Sequence, residues 1–223
     1  MAEALRVAIV GAESTGKTTL AAQLASRLAQ DTGRRVAWVP ELLREWCERS
    51  GRTPLAHEQA AILLEQHQRI AAAAALHDVV VCDTTALMTA VYSRLIFGDR
   101  SLDELALALH GSVALTLLTA LDLPWVADGH QRDGAHVREP VDRLLREMLA
   151  AHRLPWAVIG GAGPARLQQA LDAVAPLLRP LAAVRSGLFT RLDPNPASPV
   201  MPGAAWSCEC CGVPEYERAL RRR

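Results

Sequence analysis

Gly11, Gly16, Lys17 and Thr18 stand in the spacing G-x4-G-K-T, a set of residue types suited to holding a polyphosphate. Glycines let backbone N–H groups wrap an anion where a side chain would obstruct it. Lys17 brings a point charge to the β- and γ-phosphates of a nucleotide, and the Thr18 hydroxyl is a ligand for magnesium. Glu13, Ser14 and Thr15 within the loop, and Thr19 after it, complete the expected nucleotide contacts.

Three other stretches carry chemistry. "VVVCDTT" ends an apolar run with Asp83, where a parallel strand would deliver a carboxylate to the mouth of a sheet and so to magnesium; the alternative is a helix N-cap. "VPELLREW" places Glu41 after a strand with Arg44 and Glu45 close behind. A carboxylate at that rim can orient an acceptor hydroxyl and take its proton, while the plainer reading is an acidic first helical turn. "LDLPWVADGHQRDGAHVREP" is polar and punctuated by glycine, with Arg132 and Arg138 placed to neutralise a transferring phosphoryl group from a closing lid; an ordinary solvated loop is the alternative. Trp46 and Tyr92 are candidates for stacking on a charged ring, or else plain packing aromatics.

These residues need a scaffold that brings strand ends together. Arg6 to Val10 reads as a buried strand, and Leu20, Leu24 and Leu28 recur at helical spacing directly after the glycine loop. Further strand-like runs are Val36 to Val39, Val79 to Cys82, Ala114 to Thr119 and Trp156 to Ile159. His57 to His77 and Arg138 to His152 read as helices, the second with Val141, Leu144, Leu145, Met148 and Leu149 on one face. Strands alternating with helices predict an α/β fold with a parallel sheet of about five strands and a nucleotide site at the strands' carboxyl ends; the strand order does not follow from the pattern.

The chain has 223 residues, half of them hydrophobic, with 24 basic and 24 acidic side chains. A zero net charge provides no field to steer nucleic acid or an anionic membrane. With no apolar run of about 18 residues and no basic-then-apolar leader, neither a membrane span nor a secretory signal is expected, and the expected compartment is the cytoplasm. Residues 1–180 read as one domain. From 181 to 223 proline-rich sequence breaks regular structure and reads as a tail. There Cys208, Cys210 and Cys211 crowd together; three thiols fall short of the four ligands of a closed zinc site, so the tail reads first as reduced and metal-free, and second as a structural zinc site.

In order along the chain, "GAESTGKTTL", "PELLREW", "CDTTALMTAVYSRLIFG", "LPWVADGHQRDG" and "REPVDRLLREML" resemble the ribosylnicotinamide kinase domain of the bifunctional NadR proteins, over roughly Leu5 to Leu178. The resemblance implies a nucleoside-kinase-like P-loop fold, ATP with magnesium as donor, and phosphorylation of the ribose 5'-hydroxyl of nicotinamide riboside. It assigns Lys17, Thr18 and Asp83 to phosphate and metal, Glu41 and Arg44 to the substrate rim, and Arg132 and Arg138 to the lid. The strand begins at Arg6 with no adenylyltransferase domain or helix-turn-helix before it, so kinase or ATPase activity alone is expected. A kinase of another nucleoside or vitamin, and a nucleotide-dependent regulatory switch, remain as alternatives; the oligomeric state is open.

Overall fold

Strands buried on both faces need apolar residues along their buried length, and the last four residues of the first strand meet that demand: in β1 (Leu5–Val10), Val7, Ala8, Ile9 and Val10 are all fully buried. The computed structural model describes residues 3–126 and 135–178. They belong to the first of the two units into which the chain divides, Met1–Arg179 and Pro180–Arg223. Each of the five strand-like runs forms a strand, the others being β2 (Val36–Val39), β3 (Val79–Asp83), β4 (Leu115–Thr119) and β5 (Trp156–Ile159). All neighbours are parallel, in the order β2-β3-β1-β4-β5.

Among the described residues seven α-helices accompany the sheet: α1 (Lys17–Thr32), α2 (Leu42–Ser50), α3 (Gln59–Leu76), α4 (Ala86–Phe97), α5 (Asp103–His110), α6 (Arg138–Ala151) and α7 (Gly163–Leu178). The sequence analysis leaves α5 and α7 unassigned, and its segment from His57 to His77 divides into a 3-10 turn, Ala56–Glu58, and α3. Alternation along the strands sorts the layers. Val7, Ile9, Val79, Val81 and Leu117 pack beneath α1 and α7, whereas Ala8, Val10 and Leu118 pack beneath α4 and α6. The helices that follow β1 and β3 therefore lie on opposite faces, which opens a crevice at the carboxyl ends of these two adjacent strands.

A buried polar bridge braces the other side of that crevice. His110, at the end of α5, lies 2.8 Å from both the Thr85 hydroxyl and the Thr116 hydroxyl of β4. Thr85 is also the N-cap of α4, its hydroxyl accepting from the Leu87 N–H. One imidazole thus ties the start of α4 to the central sheet.

Burial pushes the His110 pKa from 6.5 down to about 4. Between those two values the unfolded chain binds more protons than the folded one, so this group's contribution to stability is complete above pH 6.5 and is lost as the pH falls toward 4. The expected loss is about 3 kcal/mol. Urea unfolding from pH 7 to pH 4 should show a shallower acid loss in His110→Gln than in the wild type; parallel curves would remove His110 as the cause.

Candidate functional site

The turn from β1 into α1 is built on backbone that side chains resist. Gly11 has φ +147°, and a Cβ there would stand 2.1 Å from the Thr119 hydroxyl oxygen. Ser14 and Gly16 have φ of +53° and +75°. Gly16 is the N-cap of α1 and offers no side chain, so the first N–H groups of the helix remain for a ligand. The loop's carbonyls are met by nearby donors. Thr15 Oγ1 donates to the Ala12 carbonyl at 2.8 Å and lies 2.7 Å from Thr119 Oγ1; Thr119 Oγ1 lies 3.2 Å from the Val10 carbonyl. Lys17 Nζ folds back on the Ala12 carbonyl at 2.9 Å. Thr19 is exposed.

Asp83 ends β3 in register with Ile9, one strand over from the loop. It is almost fully buried, and neither carboxylate oxygen has a hydrogen-bond partner. Burial raises its pKa, against the pull of the Thr18 hydroxyl, Lys17 and Arg44; Thr18 is close enough to act on it without completing a hydrogen bond. The cap of α4 is Thr85, so the capping role considered for Asp83 is taken by its neighbour two residues on. An orphaned buried carboxylate beside a hydroxyl is a hard-oxygen donor pair suited to magnesium, which takes one or two protein ligands together with phosphate oxygens. Among the described residues no group of three or more His, Cys, Asp or Glu is placed to hold a metal, as such a minimal site requires none.

Glu41 is the N-cap residue of α2 but makes no side-chain cap, and its carboxylate turns instead into a cleft of about 220 Å³. Glu13, Lys17 and Arg44 line this cleft with it. Burial, and then the neighbouring Asp83, raise the Glu41 pKa, while Lys17, Arg44 and a Thr84 hydrogen bond lower it. Leu55, Ile96, Phe97 and Tyr92 line the cleft as well, and the first three leave large hydrophobic surface exposed. Cys47 also lines the cleft, its thiol pKa raised by burial.

The sequence analysis offers Trp46 and Tyr92 each as a stacking candidate or a plain packing aromatic; Tyr92 lines the cleft, and Trp46 is not among its lining residues. Leu43, Arg44 and Cys47 of α2 line the cleft. The Arg52 guanidinium lies over the Trp46 ring, 5.0 Å from the centroid. Glu45 is exposed and hydrogen-bonded to Arg69, so of the two early glutamates only Glu41 faces the cleft. Arg138, buried at the start of α6, donates to the Leu123 carbonyl at 2.9 Å. Leu123 in turn faces Gly16, and Ser14 Oγ donates to the Val126 carbonyl at 2.8 Å, so residues 123–126 rest on the glycine loop. Arg132, Cys208, Cys210 and Cys211 lie outside the described residues.

Sequence reasoning missed Thr119, Asp122 and Arg166. Thr119 could have been found as a polar residue ending an apolar strand, the same signal that marks Asp83. Arg166 stands four and eight residues before the buried Ala170 and Val174, a spacing that puts it on the inner stripe of α7.

Residues 6–166 match the profile of the family described as the AAA domain. No curated protein matches the sequence. Among solved structures, the fold is similar to that of the NadR protein in complex with NR, with a TM-score of 0.61 and 21% identity over 78% of this chain. It is similar to the NadR protein in complex with NAD and AMP-PNP, at 0.60 and 21% over 78%. Thymidylate kinase from Ehrlichia chaffeensis aligns over 80% of this chain and 100% of its own, at 0.55 and 15%. The chain spans 50% and 49% of the lengths of the two NadR chains. These likenesses show a shared P-loop kinase-like fold. No described helix is long and apolar enough to cross a membrane.

Replacing Gly11 by Ala should drive a methyl group into Thr119 and cost about 1–3 kcal/mol of stability, with ATP affinity falling by at least roughly tenfold as the loop opens. Gly33→Ala is the control, since its φ is +65° and nothing lies within 4 Å. That variant should lose about 1 kcal/mol and bind ATP as the wild type does. Denaturation midpoints and calorimetric titration with ATP check both, and equal affinities in the two variants would contradict the close-approach account.

Proposed function

The chain belongs to the AAA-domain family, and on that footing we propose that it is an ATP-dependent kinase that phosphorylates the ribose 5'-hydroxyl of nicotinamide riboside to give nicotinamide mononucleotide. The observation that carries this reading is that Lys17 and Glu41 line one cleft, with Asp83 buried beside them. The exposed apolar side chains in the cleft lining support an acceptor carrying a flat ring, and Tyr92 lines the same cleft. The fold shared with a NadR protein crystallised with NR supports this choice of acceptor.

In this reading the backbone of Gly11 to Thr18, with Thr19 behind it, cradles the phosphates of ATP. Lys17 leaves the Ala12 carbonyl for the β- and γ-phosphates, and Thr18 and Asp83 would hold magnesium. Bound there, magnesium supplies neutralising charge on the phosphate oxygens. Glu41 accepts a hydrogen bond from the acceptor hydroxyl and takes its proton as the hydroxyl oxygen bonds to the γ-phosphorus. The bond from that phosphorus to the β–γ bridging oxygen breaks, and ADP leaves with the electron pair. Arg44 orients the acceptor from the same rim, and Arg138 and Arg132 neutralise charge from the lid. Residues 181–223 are an appendage to this catalytic unit.

Lys17→Ala should lower kcat/KM by about two to three orders of magnitude with the unfolding midpoint little changed, since Nζ bonds the Ala12 carbonyl of the loop. Asp83→Asn should raise the magnesium concentration needed for half-maximal rate more than it changes ATP affinity. Near wild-type turnover in Lys17→Ala would sink the phosphate-loop assignment, and an unmoved magnesium titration in Asp83→Asn the metal assignment.

Nicotinamide riboside should stimulate ADP release from ATP; a regulatory nucleotide switch would show no such stimulation. Glu41→Gln keeps the shape but cannot take the proton, and should slow the reaction about 100-fold. Because burial raises the Glu41 pKa, the acid limb of the wild-type rate profile should lie above the ordinary carboxylate range and vanish in Glu41→Gln. Full activity in that variant would assign the proton to another group.

A further inference from the structure

Arg166 occupies a costly position. It lies in the first turn of α7, where a cation opposes the helix dipole, and it is only 4% exposed. Its bonds show what offsets that cost. Nη2 donates to the Thr15 carbonyl at 3.0 Å and to the Ala120 carbonyl at 3.2 Å. Nη1 donates to Asp122 Oδ1 at 2.8 Å and to the Gly161 carbonyl. The second Asp122 oxygen accepts the Gly161 N–H. One guanidinium therefore joins the loops that leave β1, β4 and β5, and one carboxylate holds it in orientation.

The bond to Thr15 bears directly on the glycine loop. In a trans peptide the carbonyl of one residue and the N–H of the next point in opposite directions in a rigid plane. Fixing the Thr15 carbonyl against Arg166, on the outer side of the loop, fixes the Gly16 N–H toward the inner side. Gly16 has no side chain of its own to hold that plane, and at φ +75° it sits where many backbone orientations are open to it. Thr15 is already anchored by its hydroxyl to Ala12 and Thr119, so Arg166 supplies the remaining restraint.

We propose that Arg166, oriented by Asp122, is a positioning residue of the phosphate loop: it holds the Thr15 carbonyl outward and thereby aims the Gly16 N–H at the nucleotide phosphates. The inference rests on the nucleotide-binding reading above. Acting through the loop, Arg166 supports ground-state and transition-state phosphate alike, so its loss raises the KM for ATP and leaves kcat and the acceptor's KM nearly unchanged.

Two variants test this. Arg166→Lys keeps the charge but cannot span two carbonyls and a carboxylate with one fork, and Asp122→Asn removes the orienting charge at a half-exposed position. In both, calorimetric ATP affinity should fall about tenfold, ATP KM should rise in proportion, and kcat should stay within about threefold. In the nucleotide-free protein the Gly16 amide should exchange with solvent faster, while amides of β1 and β3 keep their protection. If Arg166→Lys does not fold, Asp122→Asn decides alone. Unchanged ATP affinity together with unchanged Gly16 exchange overturns the proposal, as does a fall in kcat without a rise in ATP KM. A wild-type protein that binds no ATP sinks the kinase reading instead, and the Gly16 amide then decides by itself whether Arg166 holds the loop.

Discussion

A loop that turns its amide N–H groups inward must turn its carbonyls outward, and buried carbonyls need donors. Much of this structure follows from supplying them. The Val10 carbonyl lies within reach of Thr119 from β4, the Ala12 carbonyl is met by Thr15 and Lys17, and the Thr15 carbonyl by Arg166 from α7. Two of these donors, Thr119 and Arg166, come from elements more than 100 residues away in the chain. The sheet order that sets β4 against β1 is therefore a condition for the loop's shape, and Gly11 is glycine because Thr119 approaches it so closely.

The second constraint is charge. Asp83 and Glu41 are two carboxylates in one buried region, and both have raised pKa values because burial disfavours the ion. Lys17 and Arg44 act on both in the opposite sense, so the four side chains form a balanced group at the carboxyl ends of β1, β2 and β3. The balance leaves the Asp83 oxygens without hydrogen bonds, a state that a protein interior tolerates poorly and that a bound cation would relieve. The proposed chemistry draws on that tension, with Glu41 held where its proton affinity is raised and Lys17 parked on a carbonyl within its own loop.

Several residues show where reading the chain in one dimension reaches its limit. Glu41 and Trp46 are five residues apart, yet one lines the cleft and the other lies under Arg52. Glu45, one helical turn from Glu41, is drawn to Arg69 of α3, an ion pair that depends on how two helices pack. Asp83 and Thr85 compete on sequence grounds for one N-cap, and the positive φ of Thr84 settles the competition by turning the backbone between them.

The sequence by itself determined the phosphate loop, the five strands and the alternation that makes the sheet parallel, because each rests on local signals: glycine at strained φ, a lysine in fixed spacing, and apolar runs of strand length. It also marked Asp83 and Glu41, since a carboxylate closing an apolar strand stands out from its neighbours. Tertiary structure alone decided the order β2-β3-β1-β4-β5, the meeting of Glu41 with Lys17, and the roles of Thr119, Asp122 and Arg166. The reason is that hydrogen bonds and desolvation depend on distances between segments far apart in the chain, and no local spacing records which carbonyl a distant guanidinium will reach.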